Sequence, residues 1–283
     1  MKVRIGAVIV MAGLASAGCN RKPVAESKPA ASGVVTIVAH EYGYDLPSVV
    51  PAGVTTIEVI NRGQELHHMQ IARLEDGHTL GDLVKSLEQK TIPTWILPLG
   101  GPNGVEPGQS GTTIQTLTPG HYAVLCFIPG HDGVPHFMKG MTGSFDVVAS
   151  AVTATEEPKA DATFNLADYS FGTPTIAAGP RTIRVENTAS QPHELVLVRL
   201  ENGKSVGDML NWFMAGEKGP APGHFATGVV GLAPGQHTFF THTFNAGTYG
   251  LLCFVGDVKD GKPHVMHGMM AQFSVPSSVA VKN

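Results

Sequence analysis

The sequence predicts an all-β protein of two tandem Greek-key β-sandwiches, each with one inserted helix. Three observations predict it. The 283 residues include 34 glycines and 20 prolines, a turn-rich composition suited to many short strands. Short runs of alternating or β-branched apolar residues recur between turn signals. The whole pattern also occurs twice.

The duplication can be read without gaps over long stretches. "TIEVINRGQELHHMQIARLEDGHTLGDLV" from Thr56 matches "TIRVENTASQPHELVLVRLENGKSVGDML" from Thr182. Asn61 falls on Asn187, His67 on His193, Arg73-Leu74 on Arg199-Leu200 and Gly81-Asp82 on Gly207-Asp208. "VEPGQ" then matches "LAPGQ", "GHYAVLCF" matches "GTYGLLCF", and "PHFMKGM" matches "PHVMHGM". Two copies of this length are tandem domains rather than a solenoid, and 283 residues suffice for two ordinary cores. The copies span 34–149 and 162–276. Two stretches without periodicity, 20–33 and 150–161, read as linkers.

Within the first copy "VVTIVAH", "TTIEVIN", "HHMQIARL", "GTTIQTL", "HYAVLCF" and "GSFDVVA" read as strands. "PAG", "PGQ" and "PGH" read as turns. Thr79 to Gln89 is the helix, with Leu80, Leu83, Val84 and Leu87 on one stripe. Its copy runs from Ser205 to Phe213.

The residues able to bind a metal and kept in both copies are His67, Cys126, His136 and Met141, matched by His193, Cys253, His264 and Met269. Two imidazoles, a thiolate and a thioether are the blue-copper donor set: a His-His-Cys plane with a long axial Met. Cys126 ends a strand, and His136 and Met141 lie on the loop to the next. His67 starts a strand about sixty residues earlier and is expected to approach from the other sheet. Pro135 and Pro263 fix φ just before the loop histidines. A lone His or Met is more often a structural residue or core filler; four donor types kept twice weigh against that. Met138 and Met266 also match and are weaker axial alternatives. His131 is a further alternative in the first copy, but Asp257 and Val258 stand where its counterpart should be, so it reads as a loop residue. Equivalent cysteines of tandem domains each sit inside their own domain, which argues against a disulfide between Cys126 and Cys253.

On these residues each copy resembles a cupredoxin, the type 1 copper domain. "CFIPGHDGVPHFMKGMTGSF" is most similar to the type 1 loop of copper nitrite reductases, with a long Cys-to-His gap followed by His-x4-Met-x-Gly. The resemblance covers nearly all of both copies and implies two copper ions per chain, one on each donor set. The family often has Asn after the first ligand histidine, tying the two ligand loops together. Here His68 and Glu194 stand there, and His68, without a counterpart, is expected to be exposed.

Two-domain copper reductases and oxidases share the architecture that the resemblance implies. They normally carry a His directly before the type 1 Cys, where this chain has Leu125 and Leu252, and the His-x-His pairs of multicopper oxidases are missing. A catalytic metal needs an open position, and His2CysMet is a full set. Electron transfer between periplasmic redox proteins is therefore the leading expectation. Copper trafficking or tolerance through Cu(I) is the second. A reductase or oxidase with an interdomain copper on His121, His224, His237 or His242 is the third.

The start of the chain reads as a targeting segment. Lys2 and Arg4 precede an apolar run, Ile5 to Ala17, too short to span a bilayer. "LASAGC" resembles a bacterial lipoprotein signal, which implies residues 1–19 as leader, lipidation of Cys19 and a membrane anchor on the periplasmic side; simple cleavage nearby is the alternative. The net charge of −4, with no basic block, gives no reason to expect nucleic-acid binding.

Overall fold

A computed structural model describes residues 33–150 and 156–277. The expected leader with Cys19, residues 20–32 of the tether and 151–155 of the linker lie outside the described residues. The chain is mostly β with two α-helices among the described residues. The first half holds β1 (Val34–His40), β2 (Gly43–Asp45), β3 (Val49–Pro51), β4 (Gly53–Asn61), β5 (Gln70–Leu74), α1 (Leu80–Glu88), β6 (Ile96–Pro98), β7 (Ser110–Leu117), β8 (Gly120–Leu125) and β9 (Thr142–Val148). The second holds β10 (Ala162–Ala167), β11 (Ser170–Gly172), β12 (Gly179–Asn187), β13 (His193–Leu200), α2 (Val206–Met214), β14 (Gly223–Leu232), β15 (His237–Phe244), β16 (Gly247–Leu252) and β17 (Met270–Val275).

The strands form three sheets. One sheet of five strands, in the order β3-β9-β8-β5-β6, belongs to the first half. One of four, β14-β13-β16-β17, belongs to the second. The third has eight strands and runs through both halves: β11-β10-β12-β15-β7-β4-β1-β2. The halves join edge to edge in it, where Phe239 of β15 stands opposite Ile114 of β7. Thr238 Oγ1 donates to the Ile114 carbonyl there at 3.0 Å. Pairing β7 with β15 covers an edge in each half that would otherwise expose unpaired backbone groups.

Period-2 alternation explains the cores. Val35, Ile37, Ile57 and Val59 point from the eight-stranded sheet into one buried cluster with Ile71, Tyr122, Val124 and Phe145 of the five-stranded sheet. In the second half Phe164, Ile183, Val185 and Phe240 meet Leu195, Leu197, Tyr249 and Leu251 in the same way. The helices lie where the sequence places them. Each begins with a capping box, Thr79 with Asp82 and Ser205 with Asp208, so two orphan N-terminal donors are satisfied reciprocally. Leu83 is the buried residue of α1, and Leu80 and Leu87 flank a cluster containing Leu125 and Phe137, beside the metal-ligand loop.

Two strand expectations change. His67 does not start a strand: it forms an isolated bridge with Val105, and β5 begins at Gln70, whereas His193 does begin β13. Nor does His67 approach from the other sheet. β5 and β8 are neighbours, with Gln70 opposite Leu125, so His67 and Cys126 extend from the same end of adjacent strands.

The segment between β6 and β7 has a role that its sequence does not announce. It runs against β14 of the second half, with backbone bonds Gly100 N to Gly231 O (3.0 Å), Val230 N to Gly101 O (3.0 Å) and Asn103 N to Gly228 O (3.3 Å). Gly101 has φ +127°, and a Cβ there would lie 1.9 Å from the Met69 carbonyl oxygen, so only glycine lets the segment pass this close to the strand that follows His67.

Candidate metal centres

The loop after β8 builds three quarters of the first centre. Cys126 follows the last residue of β8, and its N–H donates to the Met141 carbonyl at 3.2 Å. The Phe137 N–H donates back to the Cys126 carbonyl at 2.8 Å, and Met141 N–H to the His136 carbonyl at 3.0 Å. A single 3-10 turn, His136–Lys139, is closed by Gly140 at φ +104°. The backbone thus pins Cys126, His136 and Met141 to one another. The second half repeats the frame: Val265 N–H to the Cys253 carbonyl (2.8 Å), Met269 N–H to the His264 carbonyl (3.0 Å), and the turn His264–His267 closed by Gly268 at φ +89°.

The upstream histidine is placed by an asparagine. Asn61 Nδ2 donates to the carbonyls of Glu65 and Val105, both at 2.8 Å, and its Oδ1 accepts from Gly63 N–H. Asn187 does the same with Gln191 and Leu232. These bonds shape the loop that ends at His67 or His193.

The structure gathers the predicted donors in each half. His67, Cys126 and His136 are buried, and their ligand atoms lie within 4.8 Å of one another, as do those of His193, Cys253 and His264. His67 Nδ1 is 3.2 Å from His136 Nδ1, and Cys126 Sγ is 3.5 Å from His136 Nδ1. Cys253 Sγ is 3.8 Å from His193 Nδ1 and 3.4 Å from His264 Nδ1. Donors bound at the usual imidazole and thiolate distances to one ion in a plane stand roughly 3.5–4 Å apart. The groups therefore fit a copper site. Met141 and Met269 are wholly buried beside them, whereas Met138 and Met266 are 52% and 51% exposed and His131 faces solvent. Both cysteines are free thiols, each within its own half.

Protonation suits metal loading. Burial lowers the pKa of His67, His136 and His193, and takes His264 down to about 4, so the imidazoles are neutral. Burial pushes the Cys126 thiol up to about 12 and raises Cys253 as well. Without metal both sulfurs keep their protons; a bound cation would displace them.

Around the donors stands a carboxylate shell that the sequence reading missed. His67 Nε2 meets Glu41 Oε1 at 3.1 Å and His136 Nε2 meets Glu65 Oε2 at 2.7 Å. His193 Nε2 meets Asp168 Oδ1 at 3.0 Å. A proton held on Nε2 by a carboxylate leaves the Nδ1 lone pair facing the cluster, which fixes the tautomer a metal needs. Asp168 is held down at about 2, chiefly by His193 and Ser190. A signal existed for two of these acids: "EY" at Glu41-Tyr42 and "DY" at Asp168-Tyr169 hold the same place in the two copies. Both pairs sit at the bend that follows β1 or β10.

His264 differs. Its Nε2 has no hydrogen-bond partner, and Asp257 Oδ2 stands 3.7 Å away. The same Asp257 oxygen accepts from Tyr169 Oη and, at 3.1 Å, from Gln191 Nε2. These donors hold the Asp257 carboxyl well below the usual range, Tyr169 foremost. Asp257 also forms a third metal-capable group with Asp260 and His267, both exposed; Asp260 is paired there with His267 at 3.2 Å.

His68 is buried, at 6% exposure, against expectation. It turns inward because Phe127 N–H, next to the ligand cysteine, donates to its Nε2 at 2.8 Å. Glu194 is equally buried and accepts from Phe254 N–H at 2.7 Å. Both residues thus tie the two ligand loops together, the role expected of an asparagine. Burial holds His68 down at about 3 and lifts Glu194 to about 7.

The remaining histidines do not assemble. His121 pairs with Asp146 (2.6 Å), His237 with Glu157 (2.9 Å), and His224 with Glu106 and Glu201 (both 3.7 Å). None of these, nor His242, belongs to a group of three metal-capable side chains among the described residues.

No protein-family model and no curated protein matches the chain. Among solved structures it is similar to reduced auracyanin from Roseiflexus castenholzii, at 23% identity over 42% of this chain and 99% of that one, TM-score 0.32. A multicopper oxidase matches at 15% identity over 86% and 88% of the two chains, TM-score 0.27. A Cu-containing nitrite reductase from Thermus scotoductus SA-01 matches at 15% over 88% and 63%, TM-score 0.26. At these TM-scores the likenesses carry no argument; the donor geometry does.

Proposed function

We propose that this protein is an electron-transfer protein of the cell envelope with two type 1 copper sites, each inside a cupredoxin-like Greek-key sandwich. His67, Cys126, His136 and Met141 hold one ion; His193, Cys253, His264 and Met269 hold the other. The supporting observation is a buried His-Cys-His cluster that occurs twice, each with a buried methionine fixed to the same loop by backbone hydrogen bonds. Soft sulfur donors favour Cu(I), imidazoles accept Cu(II), and a donor frame locked by backbone bonds changes little between the two states. Bound copper supplies the one-electron redox chemistry. The residues supply four donors, neutral imidazoles, three of the four held in one tautomer by a carboxylate, and a shell that excludes water.

In this reading lipidated Cys19 tethers the chain on the periplasmic side, and its partners are periplasmic redox proteins met through small, transient interfaces. The test is copper loading of the purified chain, followed by a copper count and visible and EPR spectra. Two coppers with intense thiolate-to-copper charge-transfer absorption and reversible one-electron reduction are expected. A colourless protein that takes up only Cu(I) would overturn electron transfer in favour of trafficking. A third copper with a type 2 signal would point to a reductase or oxidase.

A further inference from the structure

The two centres are not independent pockets. Between them runs a buried line of polar groups contributed by both halves. Phe127 N–H, the amide next to Cys126, donates to His68 Nε2 at 2.8 Å. Since Nε2 accepts, the proton of the neutral ring sits on Nδ1. The Asn103 side chain is the polar neighbour that offsets part of the burial penalty on a charged His68 ring. Asn103 Nδ2 donates to Glu194 Oε2 at 2.9 Å, which leaves the Asn103 Oδ1 as the acceptor available to the His68 Nδ1–H. Glu194 Oε1 accepts from Phe254 N–H, the amide next to Cys253, at 2.7 Å. His68, Asn103 and Glu194 are all buried, and three of the links along the path are direct hydrogen bonds. In a buried polar network each hydrogen bond polarises its neighbours.

The register of the chain makes it specific. His68 directly follows His67, and Glu194 directly follows His193. Asn103 reaches both because the segment that carries it lies along β14, with Asn103 N–H on the Gly228 carbonyl and a Cβ at Gly228 falling only 3.0 Å from the Asn103 Cβ. Two different side chains, His68 and Glu194, thus flank the Asn103 amide: Glu194 accepts from its nitrogen, and the His68 Nδ1–H is the donor suited to its oxygen. An asparagine at both positions would not give this complementary pair.

We propose that Asn103 bridges the two metal centres and that an electron passes between them inside one chain, along Cys126–Phe127···His68···Asn103···Glu194···Phe254–Cys253. The proposal rests on the two-copper reading above. In the step, Cu(I) at one site becomes Cu(II) while Cu(II) at the other becomes Cu(I). One electron moves, no covalent bond forms or breaks, and no proton is gained or lost. Asn103 is a positioning residue: it touches neither ion and holds the coupling path closed.

The test uses the full chain loaded with copper in a Met269→Gln background. Gln is an alternative axial donor and gives the second site a separable absorption band. A copper count and both bands are read first. A reducing pulse of less than one electron per chain then produces, if the bridge works, a phase in which one band bleaches as the other recovers, at a rate independent of protein concentration. Asn103→Leu slows that phase at least tenfold with copper count and both bands intact. A rate that scales with protein concentration, no such phase, or a rate unchanged by Asn103→Leu overturns the bridge while leaving the copper reading standing. A chain that binds fewer than two coppers overturns the copper reading, and the electron path with it. Metal-free protein gives a separate check. The Asn103 side-chain amide protons exchange slowly with solvent, and Glu194→Ala speeds their exchange at least tenfold. Exchange at the rate of an exposed amide in the unaltered chain would contradict the hydrogen-bonded bridge.

Discussion

In the first half the carboxylate on the loop histidine is Glu65, four residues past Asn61 and in direct contact with His136 at 2.7 Å. In the second half the corresponding position is Gln191, and the carboxylate comes instead from Asp257, four residues past Cys253, which approaches His264 only to 3.7 Å. A tyrosine at the same bend holds the acid in each case: Tyr42 Oη donates to Glu65 and Tyr169 Oη to Asp257. Next to the first histidine the same kind of exchange has happened, with His68 in one half and Glu194 in the other capping the amide after the cysteine. The donor types and the backbone bonds that close the Cys-to-Met loop are shared between halves; several of the polar groups around them have been exchanged in compensating pairs. Donor positions are fixed by the metal's geometry, whereas a second contact need only deliver the right charge to the right nitrogen.

The largest effect that separates the halves is on metal affinity. Glu65→Gln is expected to weaken copper binding at the first site by roughly 10–100-fold, the usual loss when a carboxylate behind a ligand histidine is removed. Asp257→Asn is expected to do less at the second site, because His264 makes no hydrogen bond to it. Competition with a chelator, read at each site's band, measures both. Equal losses would mean that the longer Asp257 contact closes on metal binding.

A smaller effect tests the axial assignment. Met141→Leu and Met269→Leu are each expected to keep the copper and raise that site's reduction potential, since a weak donor to Cu(II) is replaced by apolar surface. Met138→Leu and Met266→Leu are expected to leave both potentials where they were, because these side chains face solvent. Redox titration of the four variants decides between the two pairs.

The smallest effect concerns the helices, where the halves should behave alike. Thr79→Ala and Ser205→Ala are each expected to cost about 1 kcal/mol of stability. The Asp82 and Asp208 carboxyls are held below the ordinary value of 3.8, first by the hydroxyls and then by the backbone N–H groups of Thr79 and Ser205. A depressed carboxyl stabilises the fold above its unfolded pKa, and that contribution is lost as the pH falls through its folded value. The gap in thermal stability between the unaltered chain and Asp82→Asn should therefore narrow as the pH drops below about 3.8.

Much of this was legible in the sequence, and the limits have physical causes. The ligands were readable because the chain carries its own comparison: the second copy lacks His131 and keeps His136 and Met141. The helices were readable from cap and stripe, since both signals are local. Glu41 and Asp168 were equally readable, as an acid before tyrosine in both copies, yet an acid at a bend resembles an ordinary solvated residue until the fold brings a histidine to it. Glu65 and Asp257 share no position, so no comparison of the copies could pair them. His68 was misjudged because a lone histidine without a counterpart suggests the surface. Its counterpart is Glu194, chemically different and doing the same work. The joining of β7 to β15 and the passage of Asn103 along β14 depend on how the halves meet, which periodicity within either half does not encode.

The most direct test is the copper count and charge-transfer spectrum of Cys126→Ser and Cys253→Ser, each beside the unaltered chain. Two sites built alike predict that each variant loses one copper and one band and keeps the other, and that the double variant loses both. Retention of two coppers and both bands in either single variant would contradict the account.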